Sequence, residues 1–310
     1  MWGSAEGRGA TRRGGRGAGL VGALALLALP AAFASPLGQG AGAIAPLEQL
    51  LARPGPALRA AVSALERGES QLADALLSAF GERYPWIADH ADLLRLQLRV
   101  ESGRYAEAVD LGKHWSHSSS PVASDFYALL GRAYAALGDE AGARAAWEYA
   151  ALETRDRDRQ AALRLAIAES VERSGEREQA AEALLLLWTR YPGSPEAEQA
   201  EEGLARLETQ IGQSLRGASA HRRRADALYH ERHNEEALAA YDRALALGLE
   251  GQEFEDAQNG RAETLFRLRR YTEATRAFAA LPPTDDRRIQ QARAVARAGD
   301  VARGARQLEE

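Results

Sequence analysis

Two pairs of histidines come nearest to a metal site in this 310-residue chain. His114 and His117 are three positions apart, and so are His230 and His233. On a helix this spacing places both imidazoles on one face, where they could share a metal ion. A zinc protease motif needs a spacing of four, and zinc usually takes three or four protein ligands. The chain has no cysteine to supply them, so the sequence predicts no metal and no cofactor.

The composition predicts helices as the elements that position these residues. The chain is 45% hydrophobic, 27% charged and only 6% aromatic. Alanine, leucine, arginine and glutamate predominate, and these residues lose little side-chain freedom in a helix. The formal net charge is −5, and an acidic protein is poorly suited to contacts with nucleic-acid phosphates. We therefore expect no nucleic-acid partner.

The first 34 residues have the organisation of a secretory signal peptide. Four arginines precede an apolar run that ends in small residues at Ala34, which predicts cleavage before Ser35. The alternative is a membrane anchor, but a spanning helix needs about 20 apolar residues and Pro30 interrupts this run. We expect a periplasmic product with no stable membrane span after cleavage, in which residues 35–56, rich in Gly, Pro and Ala, form a flexible tether.

One short pattern recurs along the rest of the chain, and the segment "NEEALAAYDRAL" shows it clearly. A small alanine begins the buried stripe of a helix, and a large side chain often follows four places later. The equivalent alanines recur at intervals of 35, 35, 37, 57 and 37 residues: Ala73, Ala108, Ala143, Ala180, Ala237 and Ala274.

A period of about 34 residues is typical of stacked pairs of helices. We expect an all-α, right-handed helical-hairpin solenoid of about seven hairpins over residues 57–310. The long interval predicts an extra helix near 194–212, and the last repeat is expected to be truncated. The alternative is a two-helix coiled coil, but regular glycines and prolines would interrupt its heptads.

One unit resembles the tetratricopeptide repeat family closely. The residues at the family's signature positions are Tyr127, Leu130, Gly131, Tyr134, Gly138, Ala143, Trp147 and Ala150. Two units depart from the pattern, because Arg232 and Arg269 stand where the turn glycine is expected. These two turns are predicted to be less tight than the others.

Tryptophans could stack on sugars, but the repeat gives most of them another role. Trp147 occupies the packing position of its unit, and Trp188 lies in an apolar run. Both are predicted to be core residues, since aromatic side chains fill interiors well. Trp86, which follows Tyr84 and Pro85, is the freest to bind a ligand.

Residues 184–207 and 222–245 resemble the helical superhelix of periplasmic soluble lytic transglycosylases, which cleave the glycan strands of peptidoglycan. The resemblance implies peptidoglycan or envelope proteins as partners. In that family a separate C-terminal domain carries a catalytic glutamate in a Glu-Ser-x-Phe-like motif, followed by Gly-Leu-Met-Gln. Here the only methionine is Met1, so these 310 residues are predicted to hold no catalytic site. The Glu-Ser pairs followed by the wrong residues are Glu69-Ser70, Glu101-Ser102 and Glu169-Ser170.

The resemblance to tetratricopeptide repeats also implies a concave binding surface. Its predicted residues are Arg132, Arg222, Asp226, Tyr229, His230, Glu263 and Phe266. Two functions are open at this point. The chain is either the non-catalytic scaffold of a lytic-transglycosylase-like protein, or a stand-alone periplasmic adaptor that binds other proteins.

Overall fold

Fifteen α-helices follow one another in the part of the chain that the structure, a computed structural model, describes: residues 51–116 and 119–309. No strand occurs in these residues. The predicted signal peptide, most of the predicted tether and His117 lie outside them. In chain order the helices are α1 (Pro54–Glu66), α2 (Ser70–Arg83), α3 (Ala88–Glu101), α4 (Tyr105–His114), α5 (Ala123–Ala136), α6 (Glu140–Glu153), α7 (Arg157–Arg173), α8 (Arg177–Arg190), α9 (Pro195–Ile211), α10 (Ala218–His230), α11 (Asn234–Ala246), α12 (Gly251–Arg267), α13 (Tyr271–Ala279), α14 (Asp285–Arg297) and α15 (Val301–Glu309).

The helices form seven hairpins and one additional helix. The hairpins are α1–α2, α3–α4, α5–α6, α7–α8, α10–α11, α12–α13 and α14–α15, and α9 lies between the fourth and fifth. Every extensive contact joins helices that are one or two places apart in the chain. Each hairpin therefore buries its apolar side against the next, as in other repeat proteins. The predicted all-α helical-hairpin solenoid is confirmed.

The repeated alanines lie where the two helices of a hairpin meet. All six are fully buried, and each donates its backbone N–H to a carbonyl in the turn four residues earlier, as Ala143 does to Asp139. Gly304 takes the same place in the seventh hairpin, where its N–H donates to the carbonyl of Asp300. A β-carbon at Gly304 would lie 2.7 Å from the carbonyl oxygen of Ala292, so here even alanine is too large.

The turn between the two helices has one geometry in most hairpins. Gly138 has a φ of +79°, in the left-handed region that closes a helix and favours glycine. Arg232 and Arg269 adopt the same region with φ of +69° and +62°. The N–H of His233 donates to the carbonyl of Leu228, which matches the bond from Asp139 to Tyr134. The expectation of a looser turn at these two arginines is wrong, because packing of the hairpins imposes the turn in spite of the side chain.

Helix ends follow local capping rules. Helix α1 begins at Pro54, three residues before the expected start at residue 57, because proline is well accommodated in the first turn of a helix. The hydroxyl of Ser194 accepts a hydrogen bond from the N–H of Ala197 at the start of α9, and Gly212 ends that helix with a φ of +72°. Helix α9 packs on α8, while α10 also packs directly on α8.

Two tryptophans that were expected in the core are buried there. Trp147 fits against Gly131, where an added β-carbon would lie 2.4 Å from the indole Nε1. Trp188 is buried at the junction of α8 and α10, and the guanidinium of Arg224 lies 4.6 Å from its ring centroid. Trp86 differs from both, since 77% of its surface is exposed. None of the described helices combines the length and the apolar character that crossing a membrane requires.

Candidate functional site

The first helices of the last three hairpins share one polar surface. On α12, for example, residues 256, 259, 263 and 267 recur at the three- and four-residue spacing that places side chains on one side of a helix. We call this surface the polar face. It comprises Ser219, Arg222, Asp226, Tyr229 and His230 of α10; Glu253, Asp256, Asn259, Glu263, Phe266 and Arg267 of α12; and Asp286, Gln290, Arg293 and Arg297 of α14.

The first part of the polar face is a seam of hydrogen bonds between α10 and α12. The hydroxyl of Ser219 donates to Glu253 at 2.5 Å, and the guanidinium of Arg222 lies 3.3 Å from the same carboxylate. Arg222 also donates to Asp226 at 2.9 Å. Hydrogen bonds from Ser219 and Arg222 hold the pKa of Glu253 below its usual range. The guanidinium of Arg222 therefore pairs with both carboxylates of this seam.

Asp226 also connects the polar face to the core. It accepts a hydrogen bond of 2.6 Å from the hydroxyl of Tyr241, a side chain of α11 that is almost fully buried. Burial, and then the hydrogen bond to Asp226, raises the pKa of the Tyr241 phenol. A protonated tyrosine is the form that donates, so the phenol fixes this carboxylate in place over the whole physiological pH range.

Tyr229 is held from two sides. Its hydroxyl donates to Glu263 at 2.8 Å, and the guanidinium carbon of Arg267 lies 3.4 Å from the centroid of its ring. Arg267 also donates to the backbone carbonyl of Tyr229 at 2.6 Å. Burial, followed by the hydrogen bond to Glu263, raises the pKa of Tyr229 to about 12. The tyrosine is therefore a fixed hydrogen-bond donor and carries no negative charge.

Between α12 and α14 the polar face opens into a groove. Arg287 connects the two helices through Glu255, at 3.3 Å, and the guanidinium carbon of Arg293 lies 5.6 Å from the ring centroid of Phe266. A cavity of about 340 Å³ lies at this place. Its walls are formed by Asp256, Asn259, Glu263, Thr284, Asp286, Arg287 and Gln290.

The structure brings most of the predicted binding residues together. Arg222, Asp226, Tyr229 and Glu263 belong to one network of hydrogen bonds with Glu253 and Tyr241. Phe266 joins the same surface through Arg293, and the ring of His230 lies 5.9 Å from that of Tyr229. Arg132 lies apart: it is exposed on α5, and among the described residues no hydrogen bond, ion pair or ring contact connects it to the polar face.

Sequence reasoning missed the residues of α14 and the basic end of α12. The last repeat was expected to be truncated, so the positions of Asp286, Gln290 and Arg293 were not considered. Counted back from the turn residues Arg232, Arg269 and Gly299, the position of Asp226 corresponds to Glu263 and Arg293. The register of the repeat would therefore have found Arg293, but not Asp286 or Gln290.

Of the two histidine pairs, only His230 and His233 can be compared, because His117 lies outside the described residues. His230 is the last residue of α10, and His233 lies in the turn before α11, so the two are not on one helix. Among residues 51–116 and 119–309, no group of three or more His, Cys, Asp or Glu side chains could hold a metal ion.

No protein-family model and no curated protein sequence matches this chain. Solved structures of tetratricopeptide repeat proteins do align with it over most of its length. The TPR2AB domain of yeast Sti1, solved in complex with pHSP90, is 18% identical and covers 83% of this chain and 97% of its own, with a TM-score of 0.35. A tetratricopeptide repeat protein of Parabacteroides merdae is 11% identical with the same coverage and TM-score.

A third similar structure, a tetratricopeptide repeat protein of Thermus thermophilus, is 19% identical and covers 83% of this chain and 98% of its own, with a TM-score of 0.24. Similarities at this level identify no shared activity or partner. The assignment of the fold therefore depends on the hairpins themselves: a buried small residue in the second helix, a left-handed turn and contacts between neighbours. By these features the chain is a tetratricopeptide-like helical-repeat superhelix.

Proposed function

We propose that this chain is an exported scaffold that holds a segment of a protein partner on its polar face. One observation carries the proposal: three neighbouring hairpins present charged, amide and aromatic side chains on a single surface with an open groove. Repeat solenoids commonly use such extended surfaces for binding, since neighbouring repeats place equivalent positions side by side. The scaffold needs no reactive group of its own for this role.

The charges of the polar face favour a polypeptide over a nucleic acid. Carboxylates of Glu253, Asp256 and Asp286 stand among the arginines, so a chain of phosphates would be repelled along part of its path. A polypeptide can place a different side chain at each position, and its backbone supplies donors and acceptors for Asn259 and Gln290.

A photo-crosslinking residue tests the protein-binding role. Incorporated at Gln290 in the full chain, it should form an adduct with a specific protein that mass spectrometry identifies. The same residue at Glu178, exposed on α8 and away from the polar face, is the control. The partner should also be lost from a reciprocal pull-down when Tyr229→Ala and Phe266→Ala are combined. Equal adducts from both positions would contradict the proposal.

Export is a separate part of the proposal and has its own test. If the first 34 residues are a signal peptide, the mature protein begins at Ser35 and fractionates with the periplasm. Amino-terminal sequencing of the purified protein measures this directly. A protein that retains its first 34 residues and stays in the cytoplasm would exclude export while leaving the binding role intact.

A second candidate function is the positioning of peptidoglycan glycan strands. It is supported by the resemblance of residues 184–207 and 222–245 to lytic transglycosylases and by the exposed ring of Trp86, since aromatic rings stack on sugars. Co-sedimentation of the purified chain with peptidoglycan sacculi tests it. Trp86→Ala should reduce sedimentation, whereas Glu178→Gln should not. Release of soluble glycan fragments would overturn the view that the chain is a scaffold without catalysis.

A further inference from the structure

The groove between α12 and α14 contains charges that the fold leaves unused. Among the described residues, Asp286 and Arg297 form no ion pair. Within the same residues, the one hydrogen bond that the Arg293 side chain donates goes to the amide oxygen of Gln290, at 3.2 Å. This groove differs from the α10–α12 seam, in which Asp226 and Glu253 both pair with Arg222. Unpaired charges at helix surfaces are available to a partner.

These charges are segregated along the groove. Asp256 and Asp286 lie in the first halves of α12 and α14, whereas Arg293 and Arg297 lie towards the carboxyl end of α14. Asp286 and Arg297 are eleven positions apart, which corresponds to about 16 Å at 1.5 Å per helical residue. Asp286 and Arg293 are seven positions apart, or about 10 Å. The groove thus has an acidic end and a basic end.

The middle of the groove offers two amide side chains. Asn259 donates its side-chain N–H to Glu263 at 2.9 Å, which leaves its carbonyl oxygen as an acceptor. Gln290 accepts from Arg293 through its oxygen, which leaves its N–H₂ group as a donor. The ring of Phe266 lies nearer the carboxyl end of α12, where the guanidinium carbon of Arg293 is 5.6 Å from its centroid. The backbone of a bound peptide has one N–H donor and one carbonyl acceptor in each residue, which match this acceptor and this donor. A neutral sugar would leave the charges at the two ends of the groove without a counter-charge.

We propose that the α12–α14 groove binds an extended segment of a partner protein that carries a lysine or arginine and, about three to five positions away, an aspartate or glutamate. The cation of this segment contacts Asp256 and Asp286, and its carboxylate contacts Arg293 and Arg297. The spacing follows from geometry, because an extended chain advances about 3.3 Å per residue and the two ends lie about 10 to 16 Å apart. This inference rests on the proposed protein-binding function and defines its partner more closely.

A set of labelled peptides tests the inference with the full chain. Each peptide has a neutral background of Ser, Thr and Ala with one Lys and one Glu, separated by one to eight positions, in either order. Fluorescence anisotropy should give the tightest binding at separations of three to five. Peptides with only one of the two charges should bind on the order of fivefold more weakly, since an exposed ion pair contributes up to about 1 kcal/mol. Binding should weaken as salt is added.

Paired substitutions assign each charge of the peptide to one end of the groove. Asp256→Asn with Asp286→Asn should abolish the gain in affinity that the peptide's lysine provides and keep the gain that its glutamate provides. Arg293→Gln with Arg297→Gln should do the reverse. Arg177→Gln with Glu178→Gln, two exposed charges on α8, is the matched control and should change neither. Exchange of the acidic end to Asp256→Arg with Asp286→Arg should shift the preference to peptides that carry two glutamates.

The outcomes separate this inference from the function on which it rests. Affinity that is independent of the spacing, or unchanged by both paired substitutions, would overturn the charge assignment even if Gln290 crosslinks to a protein. Stronger binding of single-stranded RNA or of a lysine-only peptide would overturn it as well. Absence of any crosslinked protein, together with absence of peptide binding, would reject both the inference and the protein-binding function.

Discussion

The phenol ring of Tyr241 on α11 lies directly against Gly260 on α12. A β-carbon at Gly260 would lie 2.4 Å from both Cζ and Oη of the tyrosine, closer than atoms in contact approach. The hydroxyl of the same tyrosine donates to Asp226 on α10. One side chain thus joins the fifth hairpin to the sixth and supports a carboxylate of the polar face.

We expect Gly260→Ala to destabilise the protein by about 2 kcal/mol, because adding a methyl to a close-packed contact forces side chains or helices apart. The midpoint of urea unfolding measures this. Combining it with Tyr241→Leu should give less than the sum of the two single effects, since the smaller side chain relieves the overlap. A purely additive result would show that the added methyl group at residue 260 does not overlap with the ring of Tyr241.

Gly81→Ala is the matched control for that experiment. Gly81 also lies within a helix, α2, but its added β-carbon would make only ordinary contacts of 3.7 Å with Ala88 and Ala91. Alanine favours a helix over glycine by up to about 1 kcal/mol, so this change should be neutral or stabilising. Destabilisation equal to that of Gly260→Ala would imply that any glycine replacement is harmful here.

The two arginine turns predict a gain in stability. Arg232 and Arg269 have positive φ angles, which cost a residue with a side chain about 1 to 2 kcal/mol. Arg232→Gly and Arg269→Gly should each stabilise the protein by about 0.5 to 1 kcal/mol after the greater freedom of glycine in the unfolded chain is subtracted. Thermal unfolding checks this. Arg232→Ala is the control, and a gain equal to that of glycine would assign the effect to the lost side chain.

The carboxylate of Asp74 is nearly buried and accepts hydrogen bonds from Arg95, Arg99 and Arg104. Its removal should lower the free energy of unfolding by about 2 to 3 kcal/mol, because the three guanidinium groups would then face one another without a counter-charge. Burial opposes ionisation of Asp74, but the bonds from Arg99 and Arg95 outweigh it and keep its pKa below the usual range. Urea unfolding of Asp74→Ala measures the loss. Glu69→Ala, which removes an exposed partner of Arg67, should change little.

Glu208 should make stability depend on pH in acid. Hydrogen bonding from the side chain of Arg216, together with backbone N–H groups of Leu215 and Arg216, lowers the pKa of its carboxyl from 4.5 to about 2. A carboxyl whose pKa falls on folding stabilises the native state above pH 4.5, and this contribution is lost as the pH falls towards 2. At pH 6 the free energy of unfolding of the wild type should therefore be greater than that of Glu208→Gln by about 1 kcal/mol, after allowance for solvent screening.

Unfolding midpoints at pH 6, 4 and 2.5 follow this difference, which should shrink towards zero at the lowest pH. Glu178→Gln on α8 removes an exposed carboxylate with no ion pair among the described residues, and it should give no such trend. A constant offset for Glu208→Gln at every pH would mean that shape, and not charge, accounts for its effect.

The repeat was predictable because the packing that builds it restricts single positions strictly. Ala143 and Ala237 are fully buried where two helices touch, so only small residues fit and the pattern survives in the sequence. Gly304 satisfies the same requirement with a different residue, and a search for alanine missed it. The turns at Arg232 and Arg269 were misjudged because local propensity disfavours them, whereas contacts between hairpins override that preference.

The polar face was only partly predictable. Arg222 and Glu263 were found because their positions follow from the register of the repeat. No sequence pattern shows, however, that Glu253 accepts hydrogen bonds from Ser219 and Arg222 while Asp286 has no ion pair among the described residues. This distinction depends on how far apart two neighbouring helices lie, which is a property of the packed array. Arg132 shares the register but lies several hairpins away, where the same spacing meets different neighbours.

The succession of contacts between adjacent helices has a kinetic consequence. A chain whose interactions join segments close in sequence closes only short loops as it folds, and such low contact order goes with fast folding. Each hairpin can organise on the one already formed, and a defect in one hairpin is transmitted mainly to its two neighbours. This array can therefore accumulate substitutions in one repeat while the others keep their shape, which lets a binding surface diverge without loss of the fold.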